Sequence, residues 1–394
     1  MNPELISHIK TFSEELFLKV QTYREHIHKN PELSYHEVET MNFVSAQLTK
    51  LGISHEKNIG GTGVVGIIEN NHPQGMKCVA LRSDLDALPI QEENEVAYKS
   101  DVAGVMHACG HDVHTSILLG TAEILCKMKE HLPQPVKLIF QPGEEKNPGG
   151  ATYMIRDGVL KSPEVEKIFA LHVFPEMNVG EVGFRSGKYM ASCDEIYLTI
   201  NGKGGHAATP HLCIDPIIIG SRLILELQQI ISKKCDDKIP FVLSFGHFEA
   251  IGATNVIPEK ASLKGTFRTI DEKWREEALA EIRYHIESIV TAHGGTVDLE
   301  ISRGYPCVIN DERITNQLVK KAESILGKNY VHELPIRLTS EDFAFYSQKV
   351  PACFFRLGVR NEEKGITHNV HHPKFDIDPE ALKIGMQVMA AACF

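Results

Sequence analysis

Residues 107–115 read His-Ala-Cys-Gly-His-Asp-Val-His-Thr and place a thiol and an imidazole, Cys109 and His111, two positions apart. Gly110 between them allows a tight turn, so both side chains can point toward one atom. Thiolate and imidazole groups are common ligands of zinc-like ions. A simpler structure also fits, in which a buried cysteine precedes a helix that Asp112 caps. This segment alone therefore leaves a metal site and a helix start as alternatives.

Two adjacent carboxylates, Glu144 and Glu145, follow a predicted strand that ends at Phe140. Adjacent carboxylates repel each other, but the carboxyl end of a strand in an α/β sheet is where active sites form. One carboxylate can bind a metal ion while the other acts as general base. Taken alone, the pair is better explained as an exposed acidic loop that precedes a helix.

Two histidines lie in other segments: His172 ends a nearly continuous apolar strand, and His371 belongs to the histidine-rich segment 368–373. A buried core histidine and a surface cluster are the simpler explanations of each. Together with the thiol, imidazole and carboxylate described above, they supply a ligand set for two divalent ions about 3.5–4 Å apart, with Glu144 left as base. The candidate ligands are Cys109, His111, Glu145, His172 and His371.

Asp84 and Asp86 end a further buried strand and lie on the same face of it, because they are two positions apart. We predict that Asp86 holds a ligand histidine from behind. A loop-capping aspartate is nearly as good an explanation of this residue.

Strands and helices alternate at both ends of the chain, which predicts an α/β sheet domain. Between residues 194 and 301 the pattern changes to β-α-β-β-α-β, the order of a ferredoxin-like α+β module. We therefore predict a discontinuous catalytic domain of residues 1–189 and 306–394. The ferredoxin-like domain, residues 190–305, is inserted into it.

Composition excludes several classes of protein. The net charge of −11 over 394 residues disfavours nucleic acid or an anionic membrane as the main partner. No apolar run approaches the roughly 18 residues that span a bilayer, and the N-terminal segment lacks the features of a secretory signal. Nine cysteines, an odd number spread along the chain, indicate reduced thiols and a cytoplasmic location.

Ten segments, in order along nearly the whole chain, resemble one metal-dependent family of peptidases and amidohydrolases. This family includes aminoacylases, hippurate hydrolases and plant auxin–amino-acid conjugate hydrolases. The segments are HKNPELSYHE (28–37), LRSDLDALPI (81–90), HACGHDVHTS (107–116), FQPGEE with PGGA (140–151), ALHVFP (170–175), NGKGGHAATP (201–210), ATNVIPE (253–259), GTFRT (265–269), SEDF (340–343) and HHPKFDID (371–378). The chain departs from the family pattern at Val113, where glycine is common, and at Lys146 after the glutamate pair. Neither departure removes a candidate ligand.

The resemblance implies that the candidate ligands hold two divalent ions and that Glu144 is the general base and acid. Zinc or manganese is expected, with nickel or cobalt as alternatives. Cys109 marks a subgroup, because the wider superfamily has a bridging carboxylate at that position. A thiolate there favours a softer ion such as zinc.

The resemblance also implies that the inserted domain forms a homodimer and covers the site. It assigns His206 to the partner subunit's active site, where it stabilises the tetrahedral oxyanion. Asn255 and Arg268 become donors to the carboxylate of the substrate. Without the resemblance, His206 is a turn histidine in solvent and Arg268 is a salt-bridging residue on a strand.

We therefore expect a cytoplasmic, homodimeric amidohydrolase that cleaves N-acyl-L-amino acids to a carboxylic acid and a free amino acid. The acyl group is expected to be acetyl, benzoyl or another aryl-acyl group. A metallo-carboxypeptidase or dipeptidase is the alternative, because the same site cleaves any amide next to a free carboxylate. An inactive scaffold protein is disfavoured, since Glu144, His206 and all candidate ligands are present.

Overall fold

The computed structural model describes residues 1–69, 75–236 and 238–394, and the chain divides into two compact units. Unit 1 comprises Met1–Gly187, Ile309–Pro335 and Asp342–Phe394, and unit 2 comprises Lys188–Val308 and Ile336–Glu341.

The two units differ from the predicted division at residues 188–189 and 306–308, which lie in unit 2, and at one longer segment within residues 306–394. The structure groups Ile336–Glu341 with unit 2. The reason is backbone hydrogen bonding: the Arg337 N–H donates to the Tyr189 carbonyl at 2.9 Å, and the Ala191 N–H donates to the Arg337 carbonyl at 3.1 Å.

The strands and helices are numbered in chain order over the described residues. The strands are β1 (Ser54–Ile59), β2 (Gly63–Ile68), β3 (Cys78–Asp84), β4 (Val136–Gln141), β5 (Val165–Asn178), β6 (Val182–Phe184), β7 (Gly187–Met190), β8 (Asp194–Asn201), β9 (Gly205–His206), β10 (Phe241–Glu249), β11 (Val256–Ile257), β12 (Lys260–Thr269), β13 (Thr296–Arg303), β14 (Val308–Asn310), β15 (Val331–Glu333) and β16 (Ala352–Arg360). The helices are α1 (Pro3–Lys29), α2 (Val38–Lys50), α3 (His111–Lys127), α4 (Gly150–Arg156), α5 (Pro216–Lys234), α6 (Glu272–Ala292), α7 (Glu312–Leu326), α8 (Ala344–Ser347) and α9 (Ala381–Ala392).

Unit 1 is built on an eight-stranded sheet with the order β1-β2-β4-β3-β5-β16-β6-β15. The four strands β4, β3, β5 and β16 run parallel to their neighbours in this group, and β3, β4 and nearly all of β16 are buried. Such continuous burial is typical of parallel strands covered on both faces. Helices α1, α3 and α9 pack against one another beside this sheet. The predicted α/β class is confirmed.

Helix α1 illustrates how local sequence sets an element of unit 1. It begins at Pro3, because the Asn2 side chain accepts the Glu4 N–H at 3.0 Å and proline suits the first helical position. Its apolar residues recur at helical spacing, so one face is buried, with Ile9, Leu16 and Val20 almost fully inaccessible.

Unit 2 has a four-stranded antiparallel sheet with the order β10-β12-β8-β13. The chain order β8-α5-β10-β12-α6-β13 is that of a ferredoxin-like module. Strand β8 alternates between buried and partly exposed residues, since only one of its faces packs on the helices. Within that core, Ile196 and Ile200 of β8 join Leu223 of α5 and Ile282 of α6.

Among the described residues, no helix combines the length and apolar character that crossing a membrane requires.

Candidate metal centre

The parallel strands β3 and β4 deliver two acidic loops to one edge of the sheet of unit 1. Asp84 at the end of β3 pairs in register with Gln141 at the end of β4. The loop after β3 carries Asp86, and the loop after β4 carries Glu144 and Glu145. The carboxyl ends of parallel strands are where α/β proteins assemble their sites.

Helix α3 delivers the thiol and imidazole to the same edge. It starts at His111, and Gly110 precedes it with φ at 86°, a left-handed conformation that favours glycine. A Cβ on Gly110 would also lie 2.6 Å from the Val173 side chain, so the close approach to β5 requires glycine. The alternative of Asp112 as the helix cap is not what the structure shows, because Asp112 lies inside the first turn.

The five predicted ligands come together. Cys109 Sγ lies 3.4 Å from His172 Nε2 and 3.3 Å from His371 Nε2. Glu145 Oε1 lies 3.3 Å from His371 Nε2 and 4.0 Å from His111 Nε2. Cys109 thus belongs to two groups, one with His111 and His172 and one with Glu145 and His371, and in each group the ligand atoms lie within 4.8 Å of one another.

Two of the histidines are oriented by their other ring nitrogen. His111 Nδ1 lies 3.2 Å from Asp86 Oδ1, which is the contact that we predicted for Asp86. His172 Nδ1 lies 2.8 Å from the Val173 carbonyl oxygen, so Nδ1 carries the proton and Nε2 keeps its lone pair. This arrangement, with one nitrogen donating to an oxygen and the other facing the cluster, is typical of metal-binding histidines.

The cluster has the features that a divalent cation would satisfy. His111 Nε2 and Glu145 Oε1 are buried atoms without a hydrogen-bond partner among the described residues. Buried polar atoms are nearly always paired, so two such atoms facing each other need an explanation. A cation between them supplies it, and the sulfur, nitrogen and carboxylate donors suit a zinc-like ion. The residues present therefore fit the metal that the sequence predicted.

Electrostatics point the same way. Burial, together with the carboxylates of Glu145 and Glu144, raises the pKa of the Cys109 thiol well above its ordinary value. A thiolate is therefore stable there only beside a strong positive charge, such as a bound cation. Burial alone would lower the pKa of His111. The nearby carboxylates of Asp84 and Asp86 have the larger effect, and the net result is a pKa of about 10.

Glu144 lies at the margin of the cluster. It is only 7% exposed, and its carboxylate forms a group with His111 and Glu145. The Asp342 N–H lies 3.4 Å from Glu144 Oε1. A buried carboxylate beside a candidate metal centre is placed to move a proton.

Sequence comparison identifies the family. Residues 80–394 match the pattern of Peptidase family M20/M25/M40. The chain belongs to this family.

Full-length relatives agree with this M20/M25/M40 assignment. The protein named thermostable carboxypeptidase 2 from Saccharolobus solfataricus is 39% identical, over 97% of this chain and 96% of its own. IAA-amino acid hydrolase ILR1-like 5 from Arabidopsis thaliana is 38% identical, over 96% of this chain and 86% of its own. The family resemblance predicted from the motifs is confirmed.

The fold has a solved counterpart in the same family. The crystal structure of Bacillus subtilis YXEP, described as a dinuclear metal binding peptidase from the M20 family, matches with a TM-score of 0.83. That chain is 32% identical, and the match covers 96% of this chain and 98% of the other.

Two residues around the cluster of this M20 chain, His114 and Arg82, were not predicted from the sequence. The Val173 N–H donates to His114 Nε2 at 3.0 Å, so His114 Nδ1 carries the proton and donates to Asp84 Oδ1 at 2.6 Å. Arg82, fully buried, donates to Asp84 at 2.6 Å and to Asp342 at 2.7 Å. The signal for His114 was available, because it lies one helical turn after His111 on α3.

Helix α1 contacts aspartates that lie close in sequence to two of the candidate ligands. Arg24 donates to Asp112 Oδ2 and to Asp376 Oδ1, both at 2.8 Å. His28 Nδ1 also contacts Asp112 Oδ2 at 2.8 Å. Asp112 follows His111, and Asp376 lies shortly after His371, so Arg24 ties together two segments that carry candidate ligands.

The remaining predicted site residues lie in unit 2 of this M20 chain. His206 on β9 pairs with Val256 of β11, and the carbonyl of Asn255 accepts the Ala207 N–H at 3.0 Å, so His206 and Asn255 are close neighbours. Both are exposed. Arg268 on β12 is partly exposed and donates to the Leu338 carbonyl at 3.0 Å, within the same unit.

Proposed function

We propose that this M20/M25/M40 protein is a dinuclear metal-dependent amidohydrolase that cleaves N-acyl-L-amino acids. The observation that carries the proposal is the convergence of five donor side chains around Cys109, where two buried atoms, His111 Nε2 and Glu145 Oε1, make no hydrogen bond among the described residues. The proposed ligands are Cys109, His111, Glu145, His172 and His371. Zinc or manganese is the proposed ion, with nickel or cobalt as alternatives.

Divalent ions at this position supply Lewis acidity, which lowers the pKa of water and polarises an amide carbonyl. Glu144 is the proposed proton carrier. It takes the proton of the attacking water and then donates it to the nitrogen of the leaving amine. Its burial beside His111 and Glu145 supports this role, since a general base must lie within reach of the reacting water.

The proposed roles in unit 2 concern charge on the substrate. The Ala208 N–H donates to His206 Nδ1 at 3.1 Å, so the proton of the neutral ring lies on Nε2. His206 can therefore donate from Nε2 to the oxyanion of the tetrahedral intermediate, in the partner subunit's active site. Asn255 and Arg268 are the proposed donors to the free carboxylate of the substrate.

Two names among the relatives bear on the substrate. One full-length relative is called an IAA-amino acid hydrolase and another a carboxypeptidase. Both names describe cleavage next to an amino acid, the common feature of an N-acyl amino acid and a peptide C-terminus. We propose N-acyl-L-amino acids, with an acetyl, benzoyl or aryl-acyl group, and keep the carboxypeptidase or dipeptidase reaction as the alternative.

A substrate panel tests the proposal. Free amino acid release would be measured with N-acetyl-Met, N-acetyl-Leu, hippurate, indoleacetyl-Ala and several dipeptides, on protein stripped by a chelator and reloaded with zinc, manganese or cobalt. Metal-restored release from the N-acyl compounds is the expected result. Release from dipeptides alone would replace the proposal with the peptidase alternative, and no release with any metal would reject hydrolysis altogether.

We also propose a homodimer formed through unit 2. Ile218 and Leu225 on the outer face of α5 are 62% and 67% exposed, and Phe248 at the end of edge strand β10 packs near Gly220 of the same helix. Exposed apolar side chains on a helix beside an edge strand are typical of a surface that a second copy covers. Light scattering should show a dimer, and Leu225→Glu should shift it to monomer. A monomeric wild-type protein would reject the proposal.

The cysteines support a cytoplasmic protein. All nine lie in the described part of the chain and are unpaired thiols, as expected in a reducing compartment.

A further inference from the structure

The segment Ser34–Glu37 belongs to the HKNPELSYHE motif, for which the proposed reaction has no role. In unit 1 this segment lies against the loop that carries Glu144 and Glu145. Two hydrogen bonds connect the segment and the loop directly, and three more connect them through Asp86.

Three consecutive amides of the loop donate to two buried carboxylates. The Gly143 N–H donates to Glu37 Oε1 at 2.8 Å. The next two amides, of Glu144 and Glu145, donate to Asp86 Oδ1 and Oδ2 at 3.1 and 3.0 Å. Three successive amides thus have buried side-chain acceptors, which fixes the backbone that carries both glutamates.

Asp86 is itself held by the segment. The Ser34 hydroxyl donates to Asp86 Oδ2 at 2.6 Å. The same aspartate contacts His111 through Oδ1, so one carboxylate connects Ser34, a candidate ligand and the loop.

Tyr35 contacts the loop directly through its ring and its hydroxyl. Its φ of 69° lies in the left-handed region, which is unfavourable for a residue with a side chain. Such strain persists where surrounding contacts demand it and is concentrated at functional sites. The ring packs on Gly143, where a Cβ would lie 2.3 Å from it, and the hydroxyl donates to the Lys146 carbonyl at 2.8 Å.

Glu37 is fully buried and accepts three hydrogen bonds. The donors are the Gly143 N–H at 2.8 Å, the Tyr35 N–H at 2.9 Å and the Thr62 hydroxyl at 2.5 Å. A buried carboxylate is costly unless its bonds are made. The bond from Tyr35 lies within the segment, and the bond from Gly143 joins the segment to the loop. The bond from Thr62 attaches Glu37 to the residue that precedes β2.

We propose that Ser34–Glu37 is a clamp that positions the loop of residues 143–146, with Glu37 and Tyr35 as positioning residues for Glu144 and Glu145. The proposal deepens the proposed function and rests on it for the catalytic consequence. The structural part, that Glu37 and Tyr35 fix the loop, can be tested without any turnover.

Glu32 provides a matched control, because it belongs to the same HKNPELSYHE motif and its carboxylate bonds to the start of α2 instead of the loop. Its carboxylate accepts the N–H groups of Glu39 and Thr40 and the Thr40 hydroxyl at the start of α2. Glu32→Ala therefore removes a comparable set of bonds. For Tyr35→Phe, the control is Tyr23→Phe on α1, whose partly buried ring packs on Phe43.

The first experiment is hydrogen–deuterium exchange on the full-length protein. In Glu37→Ala, peptides that contain residues 141–150 should exchange faster than in wild type, and in Glu32→Ala they should not. Unchanged exchange in Glu37→Ala would overturn the clamp, whether or not the wild type hydrolyses any substrate. If the wild type has no activity while loop exchange responds as expected, only the proposed function fails.

The second experiment is kinetic. Glu37→Ala and Tyr35→Phe should lower kcat more than they raise KM, by about 10- to 100-fold for Glu37→Ala, as is typical for residues that support a metal site. Glu37→Gln keeps an oxygen acceptor for Gly143 and should recover most of the loss. Equal losses in Glu32→Ala would show a merely structural effect and overturn the positioning role.

Discussion

The proposed catalytic groups differ in how firmly each region of the molecule holds them. In unit 1, His111 is braced by Asp86, His172 by the Val173 carbonyl, and Cys109 is only 6% exposed, although the side chain of His371 is half-exposed. In unit 2, His206 and Asn255 are exposed and contact mainly backbone groups. A braced, buried site is organised before substrate arrives. Among the described residues, His206 and Asn255 have no side-chain partner of this kind. We therefore expect bound substrate to fix their orientation.

The largest effect should come from removing the metal from unit 1. Chelation should abolish hydrolysis, and zinc, manganese or cobalt should restore it. Because a ligand that binds only the folded state stabilises it, metal at 100 times its Kd should add about 2.7 kcal/mol per bound ion to the free energy of unfolding. Thermal unfolding and metal analysis check this.

Cys109→Ser should weaken both metal binding and this stabilisation, because Cys109 belongs to both groups of ligands. Cys126→Ser is the control, since Cys126 is a partly buried thiol of unit 1 that belongs to neither group. Equal metal affinity in the two variants would show that Cys109 is not a metal ligand.

Glu144→Gln should come next. It removes the proton carrier while keeping the shape of the side chain, so kcat should fall by about 10²- to 10⁴-fold. The metal content should stay at the wild-type value, because Glu144 is not a proposed ligand. Wild-type turnover in this variant would reject the mechanism, and single-turnover rates with metal analysis measure both quantities.

His206→Ala tests the exposed region. Loss of a donor to the oxyanion should lower kcat by about 10²- to 10³-fold. Neither metal content nor stability should change, since His206 lies outside the buried cluster. The control is His211→Ala, a nearby exposed histidine in the turn Pro210–Leu212. Indistinguishable kcat values for these two variants would show that His206 is an exposed residue of β9 with no role in the reaction.

Arg268→Lys should have the smallest effect. The charge remains but the planar fork is lost, so KM should rise by about 10-fold while kcat changes little. A substrate whose carboxylate is replaced by an amide should show no difference between the two proteins. Arg303→Lys, an exposed arginine on β13, serves as the control. An effect on kcat instead of KM would contradict a role of Arg268 in substrate binding.

Elements with a strong apolar period could be predicted almost residue by residue. Strands β8 and β12 carry the alternation, and helix α7 the helical spacing, that predict such elements from sequence. Strand β1 was missed, because Ser54–Ile59 is mostly exposed and carries no apolar alternation. The structure groups Ile336–Glu341 with unit 2, which the sequence did not indicate, because the backbone hydrogen bonds that hold this segment leave no trace in its side-chain pattern.

The candidate site shows a similar limit. The sequence motifs indicated the residues that meet around Cys109, because each motif has a distinctive composition. They did not indicate the partners behind them, such as Arg82 and Glu37. These residues contact the site through three-dimensional packing between segments far apart in the chain, and a polar residue in a loop or strand has many possible partners.

The bridge that Arg24 makes has a consequence for folding. Arg24 and Asp376 are separated by 352 positions, and the Cys109–His371 contact by 262. Contacts between residues this distant form slowly, because long stretches of chain must be ordered first. Metal affinity should therefore appear only near the end of refolding, and a chain shortened before residue 371 should fail to acquire it. The bound metal would then report that folding is complete.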